Sequence, residues 1–368
     1  MRLSLILLRI AKGLILSDPV HFPVGEYCCT LTCSTWLRPV IRYNPEMLSE
    51  FDLIARYFTR SPRTGSAVQL GVGDDCALIA PKAGCELAIS TDMLVEGRHF
   101  FAGAEAGALG HKSLAVNLSD LAAMGAQPLG FTLALSLPAV DEAWLAAFSE
   151  GMLALADKHD IELIGGDTTK GPLTICITVL GEIPAGKALR RDAAIAGDDL
   201  WMSGTLGEAR LALSALQNIL PLDAASLAMA AARLHRPMPR VALGMALREI
   251  AHAAVDVSDG LLGDLGHILK RSGVGAIINA DALPLGTILL ATQPVETQRE
   301  FALNGGDDYE LCFTAPTSHR DAVQAAALAC STAVTRIGSI TAAGLQVTDA
   351  NGKIIAITPN SFDHFSKP

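Results

Sequence analysis

Apolar and polar residues alternate in the middle of the chain, first with the period of a strand and then with that of a helix. Residues 86–92 alternate apolar and polar side chains and end in the cluster Ser90-Thr-Asp92, which predicts a half-buried strand that delivers Thr91 and Asp92. Helical spacing follows in Leu114, Leu118, Leu121 and Met124, with Gly125 and Pro128 as stop signals. This helix carries Asn117 and Asp120, which lie three residues apart and share a face.

A second helix is predicted after Asp141, a suitable N-cap residue. Its apolar side, which we assign to the core and not to a cofactor site, consists of Trp144, Phe148, Met152 and Leu155. Residues 163–170 then pass from a strand into a polar stretch, and residues 173–183 have the composition of another strand. Strand, polar loop and helix therefore alternate in this region.

The second half of the chain repeats this order of elements. Residues 184–197 contain glycine and arginine, precede a strand predicted at 199–203, and mark our domain boundary. Residues 255–260 run from a strand through Ser, Asp and Gly into a helix. The apolar positions of that helix are Leu261, Leu265, Ile268 and Leu269. Such a strand-to-helix turn suits the binding of an anion or metal-phosphate at the helix N-terminus.

Length and composition fit a globular protein of two domains, since 368 residues exceed one average domain and half of them are hydrophobic. We predict an unstructured extension at 1–46, an N-terminal domain at 47–185 and a C-terminal domain at 186–368. The apolar opening, residues 1–16, has some features of a signal peptide. Because Arg9 and Lys12 interrupt the apolar run and no clean cleavage site follows, we interpret it as part of the extension.

Charge and cysteine content exclude several function classes. A net charge of −10 without a Lys/Arg cluster argues against nucleic-acid binding. No run approaches the ~20 apolar residues of a membrane span. The eight cysteines are scattered without a repeated C-x-x-C pair, which favours free thiols in a reducing cytoplasm. Cys28, Cys29 and Cys33 lie close together, but no fourth metal ligand is nearby.

Candidate chemistry is concentrated in acidic clusters beside glycine or hydroxyl residues. The clusters are residues 71–75, 90–92, 165–168 and 256–259, and Asp120 adds a further carboxylate. Each alone is an ordinary turn or cap sequence, but their joint occurrence at predicted strand ends suggests converging carboxylates that need cations. Oxygen ligands without a His or Cys pattern favour Mg²⁺, which commonly bridges to phosphates. The sequence lacks the usual phosphate-binding loop and protein-kinase motifs, so another fold must hold the nucleotide.

An ordered set of motifs between Glu50 and the end of the chain resembles the thiamine-monophosphate kinase family. The motifs are residues 50–56, 71–77, 89–92, 111–126, 164–169, 257–260 and Gly305-Gly-Asp-Asp-Tyr-Glu-Leu311. The resemblance implies an α/β (α+β) protein with the two-domain aminoimidazole ribonucleotide synthetase-like fold, whose N-terminal domain dimerises through its sheet. It also implies a cytoplasmic homodimer that converts thiamine phosphate into thiamine diphosphate, the final step of thiamine diphosphate biosynthesis.

The resemblance further assigns roles to single residues. The implied metal ligands are Asp75, Ser90, Thr91, Asp92, Asp120, Asp167, Asp256 and Asp259. The implied ATP contacts are Gly166, Arg191 and Ser258, and the implied substrate contacts are His99, Asp307 and Phe362. Without the resemblance, His99 is equally well interpreted as a surface histidine, whereas Phe362 is better interpreted as a C-terminal core aromatic residue. Asp307 departs from the Glu usual in the family, and Phe362 stands where Tyr or Trp is also familiar, so a ring for stacking is kept.

The implied reaction is direct in-line transfer of the γ-phosphoryl group of ATP with several Mg²⁺ ions. A phosphate acceptor is already anionic, so no strong base is needed. Two alternatives remain open from the sequence: another ATP-dependent enzyme of the same superfamily, such as an aminoimidazole ribonucleotide synthetase-like enzyme, or a nucleotide-binding sensor without turnover. Selenophosphate synthetase is disfavoured because no Cys stands in a Gly-rich N-terminal loop of the expected kind.

Overall fold

The computed structural model describes residues 49–358, and the predictions for residues 1–46 and for Phe362 lie outside them. The helices are α1 Glu50–Leu53, α2 Ala106–Ala123, α3 Glu142–Lys158, α4 Glu208–Leu216, α5 Ala224–His235, α6 Val241–Ala246, α7 Leu261–Ser272, α8 Thr287–Thr292, α9 Val295–Asn304 and α10 Arg320–Ala329. Short segments of π-helix, Ile54–Phe58, and 3₁₀-helix, Ala280–Ala282 and Thr317–His319, accompany them. The strands are β1 Val68–Leu70, β2 Leu78–Ile79, β3 Cys85–Val95, β4 Gln127–Leu137, β5 Glu162–Lys170, β6 Thr174–Pro184, β7 Asp199–Ser203, β8 Ala253–Asp256, β9 Gly275–Asn279, β10 Leu311–Ala315, β11 Val334–Thr341 and β12 Leu345–Thr348.

The first half of the described chain contains a four-stranded sheet in the order β3-β6-β4-β5. Strand β6 is antiparallel to β3 and β4, whereas β4 and β5 are parallel. Helix α2 packs on α3 and on the sheet. The predicted strand at 86–92 and both predicted helices are confirmed, and the Asp141 side chain caps α3 by accepting a 3.0 Å hydrogen bond from the Trp144 N–H.

Two polar clusters lie inside strands, so their prediction at strand ends is wrong. Strand β3 continues past Asp92 to Val95, and β5 includes Asp167. Backbone pairing continues through both clusters, because Val95 still pairs with β6 and Lys170 still pairs with β4. On β3 the hydroxyl groups have hydrogen-bond partners on neighbouring elements, Ser90 with Asp120 and Thr91 with Thr178, and on β5 Asp167 is exposed, so polarity alone does not end a strand.

A mixed six-stranded sheet, in the order β12-β9-β11-β7-β10-β8, forms the second half. The strand predicted at 199–203 is β7, and all five of its residues are buried. Strand β8 ends at Asp256, as predicted, and the chain enters α7 through Gly260. The apolar residues predicted for α7 are buried against this sheet, which confirms the helix and its core face.

Backbone-to-backbone packing fixes α2, the helix that carries Asp120. A Cβ atom added to Gly151 of α3 would lie 1.9 Å from the carbonyl oxygen of Gly107 on α2. A Cβ atom added to Gly110 would lie 2.0 Å from the carbonyl oxygen of Phe148. The glycines therefore let the two helices approach more closely than any side chain would allow.

Replacing Gly151 by alanine should destabilise the fold by about 3 kcal/mol, because backbone atoms that cannot rotate away must move. The control is Gly266→Ala in α7, where an added Cβ meets no atom within 4 Å. That change should stabilise the protein by about 0.5–1 kcal/mol through helix propensity. Urea unfolding measures both, and equal shifts in the two variants would contradict the packing argument.

The described chain contains no helix that could span a membrane and no disulfide among its cysteines. Every helix within residues 49–358 is too short or too polar to cross a bilayer. The five cysteines described there are free thiols. Cys28, Cys29 and Cys33 lie outside the described residues.

Candidate active site

A cleft of about 1370 Å³ lies among the end of β3, helix α2, and the loops that follow β8 and precede β10. The predicted site residues that line it are Asp92, His99, Asp120, Asp256, Ser258, Asp259 and Asp307. These residues come from both halves of the sequence. The fold thus brings together carboxylates that no single stretch of sequence contains.

Helix α2 places Asp120 in the cleft and connects it to both sheets. The Ser90 hydroxyl of β3 donates a 2.5 Å hydrogen bond to the Asp120 carboxylate. The neighbouring Ser119 hydroxyl donates to the carboxylate of Asp256 at 2.8 Å. From the same helix, Asn117 accepts a 3.1 Å hydrogen bond from the Asp92 N–H. Ser90 therefore supports the cluster through Asp120, although it does not line the cleft.

Burial raises the pKa of three carboxyl groups of the cluster, Asp92, Asp120 and Asp256. Burial is the main cause for Asp92, whose pKa rises to about 6, and the charges of Asp120 and Asp259 add to it. Burial, and then the charge of Asp120, raises the pKa of Asp256. Burial also raises the pKa of Asp120, while the Ser90 hydrogen bond and the Arg191 guanidinium lower it. The cluster is short of positive charge and would be stabilised by a cation.

Asp264 fixes the turn that carries Ser258 and Asp259. One of its carboxylate oxygens accepts backbone hydrogen bonds from Ser258, Asp259 and Gly260, at 3.0, 3.0 and 3.2 Å. Sequence reasoning did not single out this residue. The available signal was its place in the first turn of α7, where a carboxylate is favoured by the free backbone N–H groups.

The loop before β10 holds Asp307 in an unusual backbone conformation. Asp307 has φ +68° and Tyr309 has φ +50°, values that cost energy for residues other than glycine. Their N–H groups donate to the carbonyl oxygens of Ser258 and Val257, both at 2.9 Å. The Asp307 carboxylate lies 2.7 Å from the Lys112 ammonium of α2. The loop is therefore attached to both the Ser258 turn and α2.

Besides Ser90 and Arg191, four predicted residues do not line the cleft in the described structure. Asp75 is on an exposed loop, where its N–H donates to the Asp74 side chain at 2.8 Å. Thr91 faces outward and shares a 2.8 Å hydrogen bond with Thr178. Gly166 and Asp167 are on β5, at the opposite edge of the sheet from β3. Three strand spacings of about 4.8 Å separate the two edge strands, or roughly 14 Å.

Gly166 is required by the sheet itself. Its φ is +154°, and an added Cβ would lie 1.9 Å from the Leu133 carbonyl oxygen of β4. A packing requirement therefore accounts for this glycine without any nucleotide contact. Arg191, the second predicted ATP contact, is exposed and acts on Asp120 and Asp256 through its charge.

The donor set of the cleft fits Mg²⁺ bound together with phosphates. Carboxylate and hydroxyl oxygens are the ligands that Mg²⁺ takes, usually one or two carboxylates with water and phosphate completing the shell. Within residues 49–358, no group of three His, Cys, Asp or Glu side chains is arranged to hold a metal ion by itself. This arrangement suits an ion that arrives with a nucleotide better than a permanent structural metal.

Two domain families match the chain in order. Residues 73–183 match "AIR synthase related protein, N-terminal domain", and residues 196–350 match "AIR synthase related protein, C-terminal domain". Among curated proteins, the thiamine-monophosphate kinases of Salmonella typhimurium (strain LT2) and Escherichia coli (strain K12) are each 46% identical over 322 residues. The match covers 87% of this chain and 99% of each relative.

Solved structures agree with these relatives. The crystal structure of thiamine-monophosphate kinase from Stenotrophomonas maltophilia K279a superposes with a TM-score of 0.74 at 49% identity, covering 79% of this chain and 93% of that one. A structure described as AaThiL complexed with AMPPCP and TMP gives a TM-score of 0.68 at 29% identity, covering 78% and 89%. Similarity to these proteins therefore extends over most of the described fold.

Proposed function

Because the chain belongs to the thiamine-monophosphate kinase family, we propose that its acidic cleft transfers the γ-phosphoryl group of ATP directly onto the phosphate of thiamine phosphate. The observation that carries the proposal is the convergence of Asp92, Asp120, Asp256 and Asp259 in one cleft. A neighbour of known structure is described with AMPPCP and TMP, an ATP analogue and a phosphate compound, in agreement with two phosphate-bearing ligands.

Mg²⁺ is the cation that we propose for this cluster. Asp92, Asp120, Asp256 and Asp259 would hold it, with Ser90 supporting Asp120. When bound, Mg²⁺ supplies charge neutralisation between the carboxylates and the phosphate oxygens. Asp75, Thr91 and Asp167 are proposed as further ligands on the family resemblance alone. They lie outside the cleft of the described chain.

The protein contributes positioning more than proton transfer. Ser258 stands at the turn that leads into α7, and Arg191 supplies positive charge near the carboxylates, so we assign both to the nucleotide. His99 and Asp307 line the cleft and are assigned to the acceptor, with Phe362 as a stacking residue. Holding an anionic phosphate oxygen in line with the γ-phosphorus is the main requirement for this reaction.

An assay of ADP release tests the proposed function. ATP and Mg²⁺ are supplied with thiamine phosphate, with free thiamine, with an aminoimidazole ribonucleotide precursor, or without acceptor. ADP and thiamine diphosphate should form in equal amounts with thiamine phosphate alone. Turnover only with the ribonucleotide precursor would favour the related superfamily activity, and nucleotide binding without any turnover would favour a sensor.

We propose further that the protein is a homodimer formed through the outer face of the four-stranded sheet. On the edge strand β3, side chains pointing to this face include Leu87, Ile89 and Met93, which are 48%, 62% and 54% exposed. On the neighbouring β6, the paired residues Leu180 and Cys176 are half-buried. A row of large exposed apolar side chains on one sheet face is typical of a protein interface.

Replacing Ile89 by lysine is expected to convert the dimer into a monomer, because each copy would bury a charge in the shared face. The matched control is Ile219→Lys, since Ile219 is also exposed (67%) and lies after α4, away from this sheet. Light scattering coupled to size exclusion gives the mass of each variant. A wild-type monomer, or an Ile89→Lys dimer as stable as the control, would contradict the proposed interface.

We place the protein in the cytoplasm. The five described cysteines are free thiols, and free thiols are usual where glutathione and thioredoxin keep proteins reduced. The cytoplasm also supplies ATP and Mg²⁺.

A further inference from the structure

Lys112 is a buried cation in the wall of the cleft. Its side chain is 5% exposed, and it lines the cleft from helix α2. A lysine is rarely buried to this extent unless its charge is compensated. The compensating group is Asp307, whose carboxylate lies 2.7 Å from the Lys112 ammonium.

This ion pair uses only part of the hydrogen-bonding capacity of the ammonium. A lysine ammonium has three N–H donors. Within residues 49–358, Asp307 is the acidic partner of Lys112, and no hydrogen bond from the Lys112 ammonium to another described residue accompanies the pair. Unused donors at a buried position in a cleft favour an anionic ligand that can accept them.

Lys112 and Asp120 line the cleft at different points along helix α2. Lys112, Val116 and Asp120 follow one another at four-residue intervals on α2 and all line the cleft. The eight residues from Lys112 to Asp120 correspond to about 12 Å of helix. Along the same helix, Leu109 lines the cleft on the other side of Lys112 from Asp120, and Phe301 of α9 adds a second apolar residue to the wall.

Asp307 connects the ammonium to the turn beside the carboxylates, since its N–H donates to the Ser258 carbonyl oxygen. Lys112 is therefore held next to the proposed nucleotide turn without belonging to the carboxylate cluster. An acceptor with a phosphate at one end and rings at the other fits a wall that offers both an ammonium, Lys112, and apolar residues such as Leu109 and Phe301. The phosphate would lie at the ammonium and the rings along the apolar residues.

We propose, on the basis of the proposed function, that Lys112 binds the phosphate monoester of the acceptor and that Asp307 holds the Lys112 ammonium in place. Before the acceptor binds, the ion pair with Asp307 compensates the charge of the buried Lys112 ammonium. When thiamine phosphate binds, its phosphate oxygens accept the remaining ammonium donors. Specificity for a phosphorylated acceptor over free thiamine then comes from this contact.

Lys112→Met tests the proposal, with thiamine phosphate as substrate and free thiamine as a competitive inhibitor. The KM for thiamine phosphate should rise about 10- to 100-fold, the range for a lost charge-assisted hydrogen bond. The inhibition constant of free thiamine and the KM for ATP should each change less than about 2-fold. Equal weakening of thiamine phosphate and thiamine, or a change confined to ATP, would overturn the assignment.

The double variant Lys112→Met/Asp307→Asn distinguishes two causes of a raised KM. One is the loss of attraction between Lys112 and the acceptor phosphate, and the other is new repulsion between the unpaired Asp307 carboxylate and that phosphate. In the single variant the Asp307 carboxylate is left unpaired and could itself repel a phosphate. If removing that charge restores the wild-type KM, Lys112 acts only as a counter-ion to Asp307 and the proposal is wrong. Because Asp307 is itself assigned to the acceptor, the reference is Asp307→Asn alone, and a KM of the double variant that stays above that of Asp307→Asn supports direct binding by Lys112.

Thermal melting and ATP binding show whether Lys112→Met folds. If it does not, Lys112→Gln, which keeps a hydrogen-bond donor but not the charge, is used for the same comparison of thiamine phosphate with thiamine. Failure of the proposed function itself appears separately, as a wild-type protein that forms no thiamine diphosphate.

Discussion

Replacing Asp120 by asparagine is expected to lower the turnover of thiamine phosphate at least about 100-fold, the usual loss when one preorganised electrostatic contact to a reacting group is removed. Asp120 has the central place in the cluster, because it accepts from Ser90 and its charge acts on both Asp92 and Asp256. The asparagine side chain has the same size and keeps one oxygen, but loses the charge. The concentration of Mg²⁺ that gives half-maximal activity should therefore rise as well.

The fold should survive this change, because one of several mutually repelling carboxylates is removed. Without Mg²⁺ and nucleotide, the melting temperature of Asp120→Asn should equal or exceed that of the wild type. The control is Asp321→Asn, at an exposed position in the first turn of α10. Its activity and Mg²⁺ dependence should be unchanged. Near-normal activity in Asp120→Asn would remove this residue from the proposed metal site.

The parts of the fold that the sequence predicted are those with strong local signals. Asp141 caps α3, the apolar row of α7 is buried, and β7 has the predicted bounds. Each depends on neighbours within one or two turns of chain. The polar clusters in β3 and β5 misled the prediction because strand length depends on pairing with a distant strand, which local polarity does not report.

The site was predictable where a residue lies within a distinctive motif. Asp256 and Asp259 follow a strand and precede a helix, and the structure places both in the cleft. Asp264 and Lys112 were missed because their roles depend on contacts that appear only after folding: three backbone N–H groups for one, and Asp307 of a distant loop for the other. A lone lysine on an apolar helix gives no comparable signal.

Asp167 lies in a distinctive motif, unlike Asp264 and Lys112, but its position is remote from the cleft. It lies on β5, at the far edge of the sheet from Asp92. The residue that it pairs with, Ala134, is exposed, as is Asp167 itself. Its proposed role as a metal ligand therefore depends on the family resemblance. Only an experiment on the intact protein separates a ligand from a nucleophile.

Asp167→Asn should lower turnover by about 100-fold or more and raise the Mg²⁺ requirement, with the fold intact, because the amide offers an oxygen without a charge. A nucleophile would behave differently, since covalent transfer needs one activated carboxylate and leaves a phosphoenzyme. The direct test incubates the wild type with γ-labelled ATP and Mg²⁺ in the absence of thiamine phosphate. We expect no label on the protein, and label only in thiamine diphosphate once the acceptor is added. Stoichiometric protein label that disappears in Asp167→Asn would instead identify Asp167 as the nucleophile and overturn direct transfer.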